Sequence, residues 1–224
     1  MSLDNIQVWK VLRLFAIAEN ARRAALRADA RQTAAKLRGI NSPAMDFYGP
    51  IWSDIKAHVY GGGHLPQLTA ERIGSNASRK NIYEQIRDGF MPYWLRKRRA
   101  LNGPIRTVRG SISGILRVGE ASIRLENILS FDTASDLPLH LYPYLYCDPI
   151  LTTQTTQLGL WELKEVIGVR AQGAVGIIEA VRSLEHLLPL SISDEQCATF
   201  FNTEFGRLRT EWQVYLNEYL ARAA

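Results

Sequence analysis

Cysteine is scarce in this chain, and its histidines are scattered. Cysteine occurs only at Cys147 and Cys197, outside any CxxC or Cys/His spacing. This argues against a disulfide scaffold and a structural zinc site, and it fits a reducing compartment. The histidines, none of which forms an HExxH or HxH pair, are His58, His64, His140 and His186. We therefore predict no protein-bound metal.

Long apolar runs and cofactor signatures are missing as well. Residues 8–18 are interrupted by Lys10 and Arg13, whereas a membrane span needs about 18 or more predominantly apolar residues. The first residues show no basic segment followed by an apolar one, as a secretory leader would. Neither a GxxxxGK[ST] loop nor a GxSxG elbow occurs. We expect a cytoplasmic protein with no cofactor and no membrane partner.

The composition is that of a folded and basic protein. The 224 residues are 46% hydrophobic and 22% charged, which suits one well-buried domain spanning residues 1–224. The formal net charge is +5 and the isoelectric point is near 9.3. A positive balance of this kind favours anionic partners, nucleic acid among them.

Helical periodicity dominates both ends of the chain. Its spacing predicts one long helix that begins at Ser2 and ends near Gly39. In the second half, Thr152 and Ser193 are predicted helix caps, and residues 175–188 are a predicted short helix. The single domain thus has a helical part at 1–102, a β part at 103–147 and a helical part at 150–224.

Between the helical parts the apolar period becomes alternating. Three runs cover residues 105–118, 123–131 and 139–146. Gly119-Glu120 is the predicted hairpin tip between the first two, while Pro138 and Pro143 predict that the third is an edge strand. The predicted fold class is α+β, with helices from both termini packed around a three-stranded antiparallel β-meander.

Basic residues are concentrated where the N-terminal helical part meets the strands. They are Arg96, Lys97, Arg98, Arg99, Arg106, Arg109, Arg117 and Arg124. A guanidinium group donates bidentately to phosphate or carboxylate. We predict that these residues form a surface that contacts nucleic acid or another polyanion, and their pattern does not distinguish DNA from RNA.

Alternation leaves two possibilities for the strand arginines. They share a parity with polar and aromatic residues of the third run, which are His140, Tyr142, Tyr144 and Tyr146. An open face of arginine and tyrosine would bind single strands by base stacking and phosphate contacts. If helices cover that face, the tyrosines belong to a second core and the arginines pair with carboxylates such as Glu126.

The last helix carries an aromatic stripe at alternating four- and three-residue steps. Its members are Phe201, Phe205, Leu208, Trp212, Tyr215 and Tyr219. Such spacing is typical of knobs-into-holes packing. The stripe predicts either an interface with a protein partner or second copy of the chain, or packing against the N-terminal helix of the same chain.

One enzymatic pattern is present. Asp148 is followed by Glu162 and Lys164 in a spacing that resembles the D…(D/E)xK motif of metal-dependent PD-(D/E)xK nucleases. The resemblance implies that both carboxylates hold a divalent ion and that the lysine places the attacking water. It covers only these three residues. It also requires a strand over 160–167, where the apolar spacing is helical.

These observations favour a non-catalytic binding protein of a cytoplasmic assembly, with nucleic acid as the leading ligand class. A structural or assembly subunit that uses the terminal helices is the first alternative. The metal-dependent nuclease is the second, and only that alternative assigns catalytic residues.

Overall fold

The computed structural model covers residues 2–40, 47–101, 103–108, 112–133, 136–167, 173–188 and 193–221. These residues form the helices α1 (Val8–Ala16), α2 (Glu19–Leu37), α3 (Gly49–Val59), α4 (Leu65–Ser75), α5 (Lys80–Ala100), α6 (Thr153–Ile167) and α7 (Asp194–Ala221). The strands are β1 (Asn5–Gln7), β2 (Arg106–Thr107), β3 (Gly114–Val118), β4 (Ala121–Leu125), β5 (Leu129–Thr133), β6 (Asp136–Tyr144), β7 (Ala174–Glu179) and β8 (Leu184–Leu187).

The amino-terminal segment is a strand followed by two helices, so the prediction of one long helix from Ser2 is wrong. The Ser2 hydroxyl accepts the N–H of Asp4 in a turn, and β1 then pairs in parallel with β4, with Ile6 beside Ile123. Tertiary pairing overrides the helical spacing here because it buries Ile6 completely. Ile17 takes an extended conformation and separates α1 from α2.

Helices and strands are combined, as predicted, but two mixed sheets replace the single meander. The smaller sheet has the order β1-β4-β3 and the larger sheet has the order β2-β5-β6-β7-β8. The predicted tip at Gly119-Glu120 does join β3 to β4. Asn127, with φ of 66°, then lies where the chain leaves the smaller sheet for β5. The apolar residues keep the same spacing on both sides of Asn127, so their alternation does not show that the chain passes from one sheet to the other.

β6 lies in the middle of the larger sheet, although its two prolines predicted an edge strand. β5 pairs with β6 only as far as Leu141, opposite Leu129, so Pro143 lies beyond the end of β5. Pro138 falls where the register between β5 and β6 shifts, and an irregularity of this kind tolerates a missing N–H. Both prolines therefore occupy positions where β5 makes no regular pairing.

Residues 175–188 belong to β7 and β8 and not to the predicted helix. The β-branched residues Val175, Ile177 and Ile178 favour an extended chain. Helix α6 supplies the crossover that lets β7 pair in parallel with β6. Successive side chains of β7 are buried on both faces, and a strand in that environment shows a continuous apolar run without alternation.

The larger sheet separates two hydrophobic cores. Tyr142 and Tyr144 of β6 lie in the first core with α1, α2, α6, α7 and the smaller sheet. Leu139 and Leu141 lie in the second core with α3, α4 and α5. Both faces of the larger sheet are therefore covered, whereas the smaller sheet gives one face to the first core.

The last two helices begin where the sequence predicts. The Thr152 hydroxyl accepts the N–H of Thr155 at 3.1 Å, which caps α6. Ser193 and Gln196 exchange backbone and side-chain hydrogen bonds of 3.2 Å in a capping box at the start of α7. These caps satisfy backbone N–H groups at the starts of α6 and α7.

Candidate functional site

The first half of the basic run on α5 holds the β7–β8 connection. Arg96 donates to the Ser183 carbonyl at 2.9 Å, and the Lys97 ammonium lies 2.9 Å from a Glu185 oxygen. Tyr93 donates its hydroxyl to the same carboxylate at 2.8 Å. Burial and then that carboxylate raise the pKa of Tyr93. Arg96 and Lys97 thus have partners inside the chain, which reduces their availability to a polyanion.

The second half of the predicted basic surface is more open. Arg98 donates to the carbonyl of Gly103 at 3.0 Å, and Arg99 and Arg106 are exposed. Arg106 lies opposite Asp132 of β5, so a carboxylate stands on the neighbouring strand. Neither Arg99 nor Arg106 has a side-chain hydrogen bond or an ion pair with a described residue, so this region keeps exposed cations.

Arg117 and Arg124 belong to the outward parity of the smaller sheet. Arg117 pairs across the strands with Ser122, and Ile115 pairs with Arg124. Ile115 is 57% exposed, and Arg117 is exposed as well. Arg124 is half-buried, with its guanidinium 3.7 Å from Glu126. The remaining predicted strand arginine, at position 109, lies outside the described residues.

The tyrosines of the third run do not share a face with these arginines. Tyr142 is buried and its hydroxyl accepts the backbone N–H of Trp9 at 3.0 Å. Tyr144 is 0% exposed and donates its hydroxyl to the Pro149 carbonyl at 2.8 Å. Burial raises the pKa of both hydroxyls. The second of the two sequence interpretations applies to these rings, since they are part of a core and offer no stacking platform.

The three nuclease residues are not brought together. The motif required a strand over 160–167, and those residues belong to α6. Glu162 is 0% exposed, Asp148 is exposed and Lys164 forms a surface ion pair with Asp194. Burial raises the pKa of Glu162 to about 8, so its buried carboxyl is largely protonated at neutral pH.

Two further classes of site receive no support from the part of the chain that the structure describes. Within it, no group of three or more His, Cys, Asp or Glu side chains is arranged to hold a metal ion. Among the same residues, no helix combines the length and the apolar character needed to cross a membrane.

The aromatic stripe of α7 is used inside the chain. Five of its members are buried in the first core, and Tyr219 packs against them; the buried ones are Phe201, Phe205, Leu208, Trp212 and Tyr215. Helix α2 packs along α7, and the guanidinium of Arg27 on α2 lies 4.8 Å from the centre of the Tyr215 ring. The stripe therefore packs against the chain's own N-terminal region, the second possibility left open by the sequence.

A groove lies between the β3–β4 hairpin and α7, and we call it the hairpin groove. It is an open depression of about 790 Å³. The hairpin contributes Arg117, Val118 and Gly119, and α7 contributes Asn202, Phe205, Gly206, Arg209, Thr210, Gln213, Val214 and Asn217. Arg117 and Val118 point to opposite faces of β3, yet both line the groove. The groove therefore runs along the edge of β3 and not beneath one face.

The charged side chains that line the hairpin groove are both arginines. Arg209 donates to Asp4 at 3.0 Å, and its guanidinium also lies 3.6 Å from Glu120. These contacts tie α7 to the hairpin tip and to the chain before β1. Arg117 makes no hydrogen bond or ion pair with any residue that the structure describes. Asp4 and Glu120 balance the charge of Arg209, so Arg117 is the cation of the lining that is available to an anion.

The sequence predicts Arg117 as a polyanion contact but gives no prediction for the α7 side of the groove. Arg209, Gln213 and Asn217 recur at four-residue steps and lie beside the aromatic stripe. That polar row was a detectable signal. It could not be told from an ordinary solvated helix surface, because only the packing of the hairpin against α7 turns it into the wall of a groove.

No family model, curated protein or solved structure matches this chain. The geometry and charge of the hairpin groove are therefore the features that point to a function.

Proposed function

We propose that this chain is a non-catalytic binding protein whose hairpin groove holds an anionic partner. The main support for this proposal is the position of Arg117. Its side chain is exposed, lines the groove and has no partner among the described residues. A guanidinium in this position can offer its donors to carboxylate or phosphate without breaking an existing contact.

The rest of the groove suits binding better than catalysis. Its lining includes the side-chain amides of Asn202, Gln213 and Asn217, which both donate and accept hydrogen bonds. The lining residues include no carboxyl, imidazole or thiol group that could exchange a proton with a substrate. The one hydroxyl, on Thr210, donates to the Gly206 carbonyl at 3.0 Å.

Nucleic acid remains one form of anionic partner within this proposal. The sequence placed it at the basic run of α5, where Arg96 and Lys97 are engaged with the β7–β8 connection. The buried tyrosines also supply no surface on which bases could stack. The proposal therefore depends on the positive charge of Arg117 in the groove. The experiment below determines which anionic polymer binds there.

The test compares two matched charge reversals. Labelled poly-L-glutamate and labelled single-stranded DNA are titrated with protein at increasing salt, and anisotropy is recorded. We expect binding at low salt that weakens as salt screens the charges. Arg117→Glu should lose about tenfold or more in affinity, because it replaces a charge-assisted contact by repulsion.

Arg99→Glu is the matched control, since it reverses the same charge at an exposed position on α5. It should weaken binding less than Arg117→Glu does. Absence of binding by both polymers at low salt would contradict the proposal. A larger loss in Arg99→Glu than in Arg117→Glu would move the binding surface back to the basic run.

A further inference from the structure

The outer edge of β3 is an unpaired strand edge that borders the hairpin groove. In the order β1-β4-β3, strand β3 has β4 on one side and no described strand on the other. None of the residues that line the groove comes from β1 or β4. The groove therefore lies on the side of β3 where no described strand pairs with its backbone.

The register identifies which backbone groups point outward. In an antiparallel pair, residues alternate between bonding to the partner strand and bonding away from it. The N–H of Ser122 donates to the Asp4 carbonyl at 2.9 Å, on the side away from β3. Its partner Arg117 therefore directs its own N–H and C=O away from β4, and so does Ile115, two residues earlier.

We infer that the hairpin groove takes an acidic protein segment in extended conformation, which pairs with the edge of β3 as an added strand. This inference rests on the proposed function and names the chemistry of its partner. An added strand would match the outward N–H and C=O groups of Ile115 and Arg117 with its own. Its acidic side chains would meet Arg117, which no described residue neutralises.

Apolar residues of the groove indicate which side chains the bound segment should carry beside its acidic ones. Val214 of α7 is 53% exposed, and Val118 lines the groove on the opposite face of β3 from Arg117. Since side chains alternate along an extended segment, one parity would face Arg117 and the other would face these valines. The segment that fits best therefore alternates acidic and apolar residues.

Two competing occupants fit less well. A phosphate backbone offers acceptors only, so it could meet the outward N–H groups of β3 but would leave the carbonyl oxygens unpaired. A second copy of this chain, added edge to edge through β3, would bring Arg117 close to its own counterpart, and like charges in such a position oppose pairing. An acidic peptide satisfies the donors, the acceptors and the charge together.

The test uses a peptide of alternating glutamate and valine and the same peptide with N-methyl groups on every internal residue. Methylation leaves the charge unchanged but removes the N–H groups along both edges, so the peptide cannot pair in either direction. We expect the unmodified peptide to bind about tenfold or more tightly than the methylated one, since several backbone hydrogen bonds are lost. A lysine–valine peptide controls for charge and should not bind.

Amide hydrogen exchange of the protein gives an independent measurement. Without peptide, the amides of Ile115 and Arg117 should exchange rapidly, whereas the Leu116 amide, which points towards β4, should be protected. Added glutamate–valine peptide should slow exchange at Ile115 and Arg117 and leave Leu116 unchanged. No slowing at these two amides with bound peptide would overturn the inference.

The outcomes separate this inference from the proposed function. Equal binding of the methylated and unmodified peptides, both lost in Arg117→Glu, would mean that the groove binds anions by charge alone, so the inference is wrong and the proposed function stands. Failure of every peptide, together with failure of poly-L-glutamate and DNA, would remove both. If DNA binds more tightly than the peptide and Arg117→Glu abolishes DNA binding, the groove is a nucleic-acid site and the inference is overturned.

Discussion

The smaller sheet keeps one face open, whereas the larger sheet is covered on both. In the smaller sheet the two parities separate, because Ile123 and Leu125 are buried while Arg117 is exposed. In the larger sheet, His140 is as buried as its neighbour Leu141. An alternation of apolar and polar residues therefore distinguishes buried from exposed side chains only in a sheet that has one face in water. In a doubly covered sheet, polar residues must instead find hydrogen-bond partners.

The largest contrast between the sheets should come from their side-chain packing. Phe131 of β5 is 1% exposed and its ring centre lies 5.6 Å from that of Trp94, so Phe131→Ala should cost about 3–5 kcal/mol of unfolding free energy. Ile115→Ala on the open face should change it by no more than about 0.5 kcal/mol. Urea denaturation measures both. Similar losses in the two variants would mean that the face carrying Ile115 is covered.

Helix α6 packs against both sheets, and its buried Glu162 should make stability depend on pH. Both carboxylate oxygens lack a hydrogen-bond partner among the described residues, and burial raises the pKa from an ordinary 4.5 to about 8. Between these values the folded state holds a proton that the unfolded state has lost. This contribution to stability is complete below about pH 4.5 and is lost as pH rises to about 8.

Glu162→Gln should remove that decline and stabilise the protein above about pH 8 by the order of a few kcal/mol. Urea denaturation at a series of pH values measures the effect. Glu165→Gln, on the exposed side of the same helix, is the control and should retain the wild-type slope. Parallel pH profiles for Glu162→Gln and wild type would show that Glu162 does not carry this dependence.

Close helix packing on the larger sheet gives the third contrast. A Cβ at Gly89 of α5 would lie 2.3 Å from the carbonyl oxygens of Ala180 and Val181, whereas one at Gly206 of α7 would meet no atom within 4 Å. Gly89→Ala should therefore cost about 1–3 kcal/mol through overpacking. Gly206→Ala should stabilise α7 by roughly 0.5–1 kcal/mol. Thermal unfolding of both variants is the measurement, and a neutral Gly89→Ala would contradict the close approach.

The smallest effect is expected at the site itself. Arg117→Glu should shift the unfolding free energy by no more than about 0.5 kcal/mol, because the side chain is exposed and unpaired among the described residues. Thermal melting of this variant beside wild type checks this. A loss of several degrees would mean that Arg117 has a structural partner, and its binding phenotype would then need a different explanation.

Local signals in the sequence predicted the local features of the fold well. The tip at Gly119-Glu120, the cap at Thr152 and the box between Ser193 and Gln196 all depend on residues a few positions apart. The aromatic stripe of α7 likewise marked the buried side of that helix. These features follow from turn chemistry and periodicity, which neighbouring residues determine.

Features that depend on distant partners were missed. β1 is a strand because β4 lies beside it, and β7 is a strand because α6 returns the chain to β6. The same limit applies to the site. Arg96 and Arg117 look alike in sequence, but Arg96 donates to a carbonyl group of the β7–β8 connection, whereas Arg117 has no partner among the described residues. Whether a cation is free is decided by the fold around it.

The joining of the chain's two ends also constrains how the protein is made. The contact between Asp4 and Arg209 spans 205 positions, and α2 packs along α7. On the ribosome, α2 emerges long before α7, so its apolar side lacks this partner until α7 is released. Such non-local closure slows folding and extends the time during which a nascent chain depends on chaperones. Premature termination before α7 would leave this first core open, and the fragment would be a substrate for proteolysis.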